Sequence, residues 1–207
     1  IANNTANLNT EYGIHLQSSN NNTITGNIAN NNGYDGITGY GISLGGSSNT
    51  IIGNIASNNG YGISLSGSSN TITSNTASNN NDYGISLYHS CNSTLRNNLM
   101  SGNRWNFQVR GSSLSDFIID IDTSNLVDGK PIYYLVGASG TIIDSSSNAG
   151  TVYCINCENV TVKDLSFTNN GNGIYFSNTS SSRIQNNHVS NNYYGISLYY
   201  SSYNNTI

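Results

Sequence analysis

Tyr61-Gly-Ile-Ser-Leu-Ser-Gly-Ser-Ser-Asn70-Thr-Ile-Thr-Ser-Asn75-Thr-Ala-Ser-Asn79-Asn80-Asn81-Asp82 is one full period of a pattern that runs along most of this chain. The same opening recurs at Tyr12-Gly13-Ile14-His15-Leu16, Tyr40-Gly41-Ile42-Ser43-Leu44, Tyr83-Gly84-Ile85-Ser86-Leu87 and Tyr194-Gly195-Ile196-Ser197-Leu198. After each opening come a polar turn, a Thr-Ile type pair, an Asn, a small apolar residue and an Asn-rich turn. A fixed period of about 22 residues marks a solenoid, in which each coil buries its apolar side only by stacking on its neighbours.

Within a period the apolar residues alternate with period two, as at Ile63 and Leu65. A second apolar column runs through Ile24, Ile51, Ile72 and Leu95, and a third through Ala29, Ala56, Ala77, Met100, Phe167 and Val189. Short period-two runs broken by Gly, Asn and Ser clusters are strands, not helices. Three short strands per coil, each pairing with the next coil about 4.8 Å away, predict an all-β right-handed parallel β-helix.

Asn makes up about one residue in five, and two of its columns have distinct readings. Asn27, Asn54, Asn75, Asn98 and Asn187 share a slot that holds Leu165 in another coil, so the slot faces inward. Stacked amides there satisfy one another's polar groups along a ladder. Asn31, Asn58, Asn79, Asn169 and Asn191 fall where the chain turns back, a place suited to a residue that tolerates the left-handed region.

The reading along the chain is one solenoid over 1–207, a piece of a longer protein. Regular coils fill 1–105, with a short insertion at 34–39. Residues 106–150 depart from the consensus as irregular coils with an inserted loop or a hairpin at Asp128-Gly129. Regular coils resume over 151–207. Charged residues are only 8% of the chain, against roughly 25% in ordinary domains. A net charge of −4 with six Lys and Arg leaves no basic stripe for nucleic acid. No apolar run approaches the roughly 20 residues of a membrane span.

The irregular segment carries the more specific signal. Ser112-Ser-Leu-Ser-Asp-Phe-Ile, then Asp120-Ile-Asp-Thr-Ser-Asn-Leu-Val-Asp-Gly-Lys-Pro-Ile-Tyr-Tyr134, then Cys157-Glu-Asn-Val-Thr-Val-Lys-Asp-Leu165 resemble the NosD-like β-helix family, and the Asn-Tyr-Tyr-Gly-Ile-Ser-Leu coil at 192–198 extends the match. The likeness is strongest to the repeats in large cell-surface proteins of methanogenic archaea. It implies a right-handed β-helix outside the cytoplasm. The family's namesake is tied to copper delivery, and related β-helices bind or cleave polysaccharides.

Each implied chemistry can be weighed against the residues present. Copper needs clustered thiolates, thioethers or imidazoles. The chain offers Met100, His15, His89, His188 and three cysteines. Cys154 replaces a core Leu, Cys157 lies in a turn and Cys91 is some three coils away, so no metal site and no cofactor are expected. Paired carboxylates on adjacent coils, the signature of hydrolases, are missing from the regular coils, where Glu11, Asp35 and Asp82 fall in turns. Only Arg110, Asp116, Asp120, Asp122, Asp128 and Lys130 could gather into a ligand surface, and no catalytic set is expected. The tyrosines before Gly-Ile form a ladder that serves coil stacking or, in principle, sugar stacking. Six sequons, at Asn3, Asn21, Asn92, Asn159, Asn178 and Asn204, suit a secreted glycoprotein. The expectation is therefore a non-catalytic structural module of an extracellular surface layer, sheath or stalk. Its partners are itself or neighbouring β-helical surface proteins. The alternative is a carbohydrate-binding or polysaccharide-active β-helix using the 106–150 face, with glycans as partners.

Overall fold

The computed structural model describes residues 1–34 and 38–207. Asp35 and the middle of the insertion expected at 34–39 lie outside the described residues. Around them the chain forms the expected all-β solenoid. One face of the first stack is built from Tyr12–Leu16, Tyr40–Gly45, Tyr61–Ser66, Tyr83–Tyr88 and Trp105–Arg110, all parallel. A second face holds Thr23–Thr25, Thr50–Ile52, Thr71–Thr73, Thr94–Arg96 and Asp120–Ile121. The third holds Ile55–Ser57, Thr76–Ser78, Leu99–Ser101 and Leu126–Val127.

The register places like on like. Ile42, Ile63 and Ile85 are direct neighbours, as are Ile24, Ile51, Ile72 and Leu95, and Ala56, Ala77 and Met100. These columns are almost fully buried. Their burial removes apolar surface from water only because the next coil covers it, which makes each coil depend on its neighbours.

The inward Asn column forms the expected ladder. Asn27 donates through its backbone N–H and its Nδ2, at 2.9 Å each, to Oδ1 of Asn54. Asn54 does the same to Asn75 at 3.0 Å, and Asn75 to Asn98 at 3.0 Å. The second proton of each amide goes to the backbone, as Asn54 Nδ2 donates to the Ile24 carbonyl at 2.9 Å. The column at the turns behaves differently: Asn31, Asn58, Asn79, Asn169 and Asn191 all have φ between 54° and 58°. Asn tolerates that left-handed geometry better than most residues.

Two further amide ladders run up the first stack. Asn9, Asn32, Asn59, Asn80 and Asn103 are linked amide to amide, and so are Asn22, Asn49 and Asn70. The first of these explains the glycine of Tyr-Gly-Ile. A Cβ on Gly62 would stand 2.7 Å from Asn80 Nδ2 and 2.6 Å from the Gly84 carbonyl. One on Gly41 would meet Asn59 Nδ2 at 2.8 Å, and one on Gly84 would meet Asn103 Nδ2 at 2.6 Å. Ladder and glycine are one device, because the amide occupies the space a side chain would need.

The expected single stack is interrupted. Leu126–Val127 pairs antiparallel with Lys130–Val136 through the turn at Asp128 (φ 47°) and Gly129 (φ 77°), the hairpin anticipated there. From Lys130–Val136 the chain builds a second parallel stack through Thr151–Ile155, Asn172–Ser177 and Tyr194–Tyr199. One eight-stranded sheet therefore carries parallel strands of both stacks with a reversal in the middle.

That sheet folds over the last coil of the first stack. Alternate residues of the second stack point into its own core, among them Val152, Cys154, Ile174 and Phe176. The residues between them, Tyr153, Ile155 and Tyr175, join Ile132 and Tyr134 in the core of the first stack beside Phe107, Phe117 and Val127. Phe107 meets Tyr153 edge-on at 5.8 Å, Phe117 stacks on Tyr175 at 5.2 Å, and Tyr134 Oη donates to the Phe117 carbonyl at 2.7 Å. Backbone bonds knit the seam, from Asn106 N–H to the Asn169 carbonyl (2.6 Å) and from Gly171 N–H to the Phe107 carbonyl (2.9 Å). Segment 106–150 is thus less a side loop than the fold-back that covers an otherwise open coil.

Candidate functional site

The charged residues of 106–150 do not converge. Asp116 sits in a short 3-10 turn, Leu114–Phe117. It accepts from the N–H groups of Ser112 and Ser113 at 2.9 Å and pairs with His89 Nδ1 at 2.9 Å. Burial pushes its pKa up, but the Ser113 N–H, His89 and the other donors outweigh that and hold it below the usual carboxylate range. Asp120 and Asp122 both pair with Arg96, Asp120 through Nη2 and Asp122 through Nε at 3.1 Å. Asp128 accepts from Gly102 N–H at 2.9 Å and Asn106 Nδ2 at 2.8 Å, tying the hairpin to the coil beneath. Lys130 Nζ reaches the Ser166 carbonyl at 3.5 Å. Four of the six candidates are therefore engaged in local structure at three separate places, with Asp120 and Asp122 sharing Arg96, and Lys130 stands apart from them.

Arg110 is the exception. It ends the strand Trp105–Arg110 at the seam between the stacks. One Nη2 donates to Tyr83 Oη at 2.9 Å, and the guanidinium lies over the Tyr83 and Tyr193 rings at 5.3 and 5.7 Å. Beside it runs a groove of about 280 Å³, whose walls include Tyr88, Gln108, Asn172, Tyr194 and Tyr199. The floor comes from one stack and much of the rim from the other. Sequence reading missed it because its residues lie as far apart as 88 and 199.

The six sequon asparagines are all exposed and all have positive φ. Asn21, Asn92, Asn159 and Asn204 each lie two residues before a threonine of one column, Thr23, Thr94, Thr161 and Thr206. The tyrosine ladder is real: Tyr12, Tyr40, Tyr61, Tyr83 and Trp105 follow one another at ring separations of 4.7 to 5.8 Å. Its stacking supports the coils, and burial raises the pKa of Tyr40, Tyr61 and Tyr83.

The soft donors do not assemble a copper site. Met100 is buried in the first stack, and His89 is held by Asp116. Among the described residues no group of three or more His, Cys, Asp or Glu side chains comes together. Cys154 and Cys157 are free thiols enclosed in the second core, 0% and 2% exposed. Burial pushes the Cys154 thiol up, whereas its hydrogen bond draws Cys157 down to about 7. Two free cysteines shut inside a core do not fit a copper carrier that must load and unload.

No helix is long and apolar enough to cross a membrane among the described residues. Comparison with curated protein sequences finds no match. Among solved structures, the chain is similar to the A-module of mannuronan C-5 epimerase AlgE6 from Azotobacter vinelandii, with a TM-score of 0.50 and 17% identity. The likeness covers 99% of this chain and 49% of that one, so this chain spans about half the length of the module, and at that identity it speaks to the fold alone. The family described as periplasmic copper-binding protein (NosD) matches twice, over residues 1–120 and 115–207. With its parallel coils and this match across its whole length, the chain belongs to the NosD family.

Proposed function

We propose that this chain is a non-catalytic structural module of a protein outside the cytoplasm, serving in a surface layer, sheath or stalk and associating with copies of itself or with neighbouring β-helices. The observation that carries this reading is where the polar chemistry goes. Amides are used up in ladders, and Asp116, Asp120, Asp122 and Asp128 are tied to partners in their own coils or the next. Among the described residues no carboxylate pair is left facing a cleft in the way glycoside cleavage needs. A stack held by backbone ladders and amide ladders is stiff, and a surface of low charge lets such rods lie close together. The family's description as periplasmic and the exposed sequons both support a place beyond the cytoplasmic membrane.

The test is electron microscopy of the parent protein isolated from its native surface. Ordered sheets or filaments built from these rods are the expected result. Monodisperse single rods at high concentration overturn the assembly reading. The alternative, carbohydrate binding by the 106–150 face, finds support at Arg110 only, because Asp120, Asp122 and Lys130 do not share a surface with it.

A further inference from the structure

We propose that the groove at the seam between the two stacks binds a saccharide carrying a carboxylate, with Gln108 and Asn172 receiving its hydroxyl groups and Arg110 its charge. This goes beyond the scaffold reading and deepens the carbohydrate alternative. It moves the site from the acidic loop to a place that exists only because the chain folds back.

The first observation is a pair of orphaned acceptors. Gln108 is 1% exposed and Asn172 is 3% exposed, and both line the groove. Gln108 Oε1 and Asn172 Oδ1 have no protein partner, although the Asn172 amide donates to Tyr153 Oη at 3.3 Å. Buried carbonyl acceptors are almost always paired, so two orphans on one wall call for a donor from outside the chain. Asp82, Asn170 and Ser177 also carry an unpaired buried oxygen, but only Gln108 and Asn172 do so on the lining of this groove.

The second observation is the rim. Tyr88, Tyr194 and Tyr199 are 48%, 45% and 49% exposed. Flat aromatic faces beside amide acceptors match a sugar ring, which presents apolar C–H faces and hydroxyl edges together. The corresponding outward position in the regular coils is a small serine, Ser43, Ser64 or Ser86, and at 108 it is Gln.

The third is charge. Arg110 keeps most of its donors after bonding Tyr83, and among the described residues no carboxylate is in ion-pair contact with it. A planar guanidinium with donors to spare suits a carboxylate. The groove, at about 280 Å³, is at the small end of the roughly 300–1,000 Å³ range for ligand clefts, which favours one or two sugar units over a bulky ligand. A purely apolar ligand would leave both acceptors unpaired.

The test is calorimetric titration of the whole chain with hexagalacturonate, a hyaluronan hexasaccharide, maltohexaose and hexaglutamate. Saturable binding below about 1 mM to at least one of the two acidic saccharides is expected. Arg110→Gln and Tyr199→Ala should each weaken it at least about tenfold. Tyr203→Ala, exposed and outside the groove, should leave it unchanged. Gln108→Met keeps length and removes the acceptor, so it should weaken binding while the melting temperature holds or rises, a combination a merely structural glutamine would not give. Absence of binding to both acidic saccharides overturns the proposal, as does equal binding of maltohexaose or hexaglutamate, or binding that the groove variants leave intact. None of these outcomes bears on whether the rods assemble, which microscopy reads separately.

Discussion

The two stacks solve the same problem with different interiors. In the first, the inward corners are amides, with Asn27, Asn54, Asn75, Asn98 and Asn125 in line and alanine at 29, 56 and 77 beside them. In the second, the equivalent slots hold Leu165 with Phe167, and the ladder survives only in pieces, such as Leu165 N–H to Asn187 Oδ1 at 3.1 Å and Cys157 N–H to Thr179 Oγ1 at 3.4 Å. The amide ladder needs an unbroken run, since each rung takes two hydrogen bonds and passes on two. The apolar interior needs no such continuity and admits bulky rings. The first stack is specified by repetition, the second by packing against what it covers.

The sharpest way to break this comparison is to exchange the two chemistries. Asn54→Leu strands the backbone N–H of Asn27, and the Asn27 amide and the Ile24 carbonyl each lose one hydrogen bond. At about 1–3 kcal/mol for the buried orphan and about 1 kcal/mol for each further hydrogen bond lost, the total should be about 4 kcal/mol. The reverse change, Leu165→Asn, places an amide above Asn187 Oδ1 and should cost less than half as much. Equal losses in chemical denaturation would refute the distinction between the stacks.

Next in size is the seam. Tyr153 is fully buried between Phe107, Tyr134 and Tyr175. Tyr153→Ala should cost about 3–5 kcal/mol. It should also raise amide exchange in Trp105–Arg110 while leaving Tyr40–Gly45 protected. Uniform loosening of both strands would mean that the fold-back does not cover the end coil specifically.

A smaller effect separates two glycines of the same motif. Gly62→Ala forces a methyl against Asn80 and the Gly84 carbonyl and should cost about 1–3 kcal/mol. At Gly195 the nearest atom to such a methyl is Val189 Cγ1 at 3.5 Å, ordinary contact, so Gly195→Ala should be near neutral in thermal melting. A comparable loss at both would detach the glycine from the ladder.

The smallest is a pH effect. Asp116 titrates below its ordinary value when folded, so its contribution is present above the unfolded pKa of about 3.9 and fades as pH falls through the lower folded value. The wild-type protein should lose slightly more stability than Asp116→Asn on acidification through that window, measured by melting temperature. Parallel curves would assign the turn at 113–117 to packing alone.

Much of this was legible from the chain. The period, the three apolar columns and the inward ladder at Asn27–Asn98 follow from spacing, and so does the hairpin at Asp128-Gly129. The ladder through Asn80 was not legible, because in Asn79-Asn80-Asn81 the letter is the same and only the backbone geometry decides which amide turns inward; the one through Asn49 and Asn70, each in Ser-Ser-Asn-Thr, left a spacing signal. The seam left a trace that periodicity alone passes over. Where regular coils read Ile-Ser-Leu, the second stack reads Val152-Tyr153-Cys154 and Ile174-Tyr175-Phe176, and a strand apolar on both faces is covered on both. The candidate site was less legible, since only Arg110 among the expected residues lines the groove.

Each ladder asparagine gives its backbone N–H and one amide proton to the Oδ1 of the following coil, and its own Oδ1 receives the same pair from the coil before. A coil such as 61–82 thus meets the same interface above and below, and its removal would let Asn54 donate to Asn98 just as it now donates to Asn75. The first stack is in this sense a ruler, graduated in steps of about 4.8 Å. Its length can change by duplication or loss of whole graduations while the fold-back at its end stays the same.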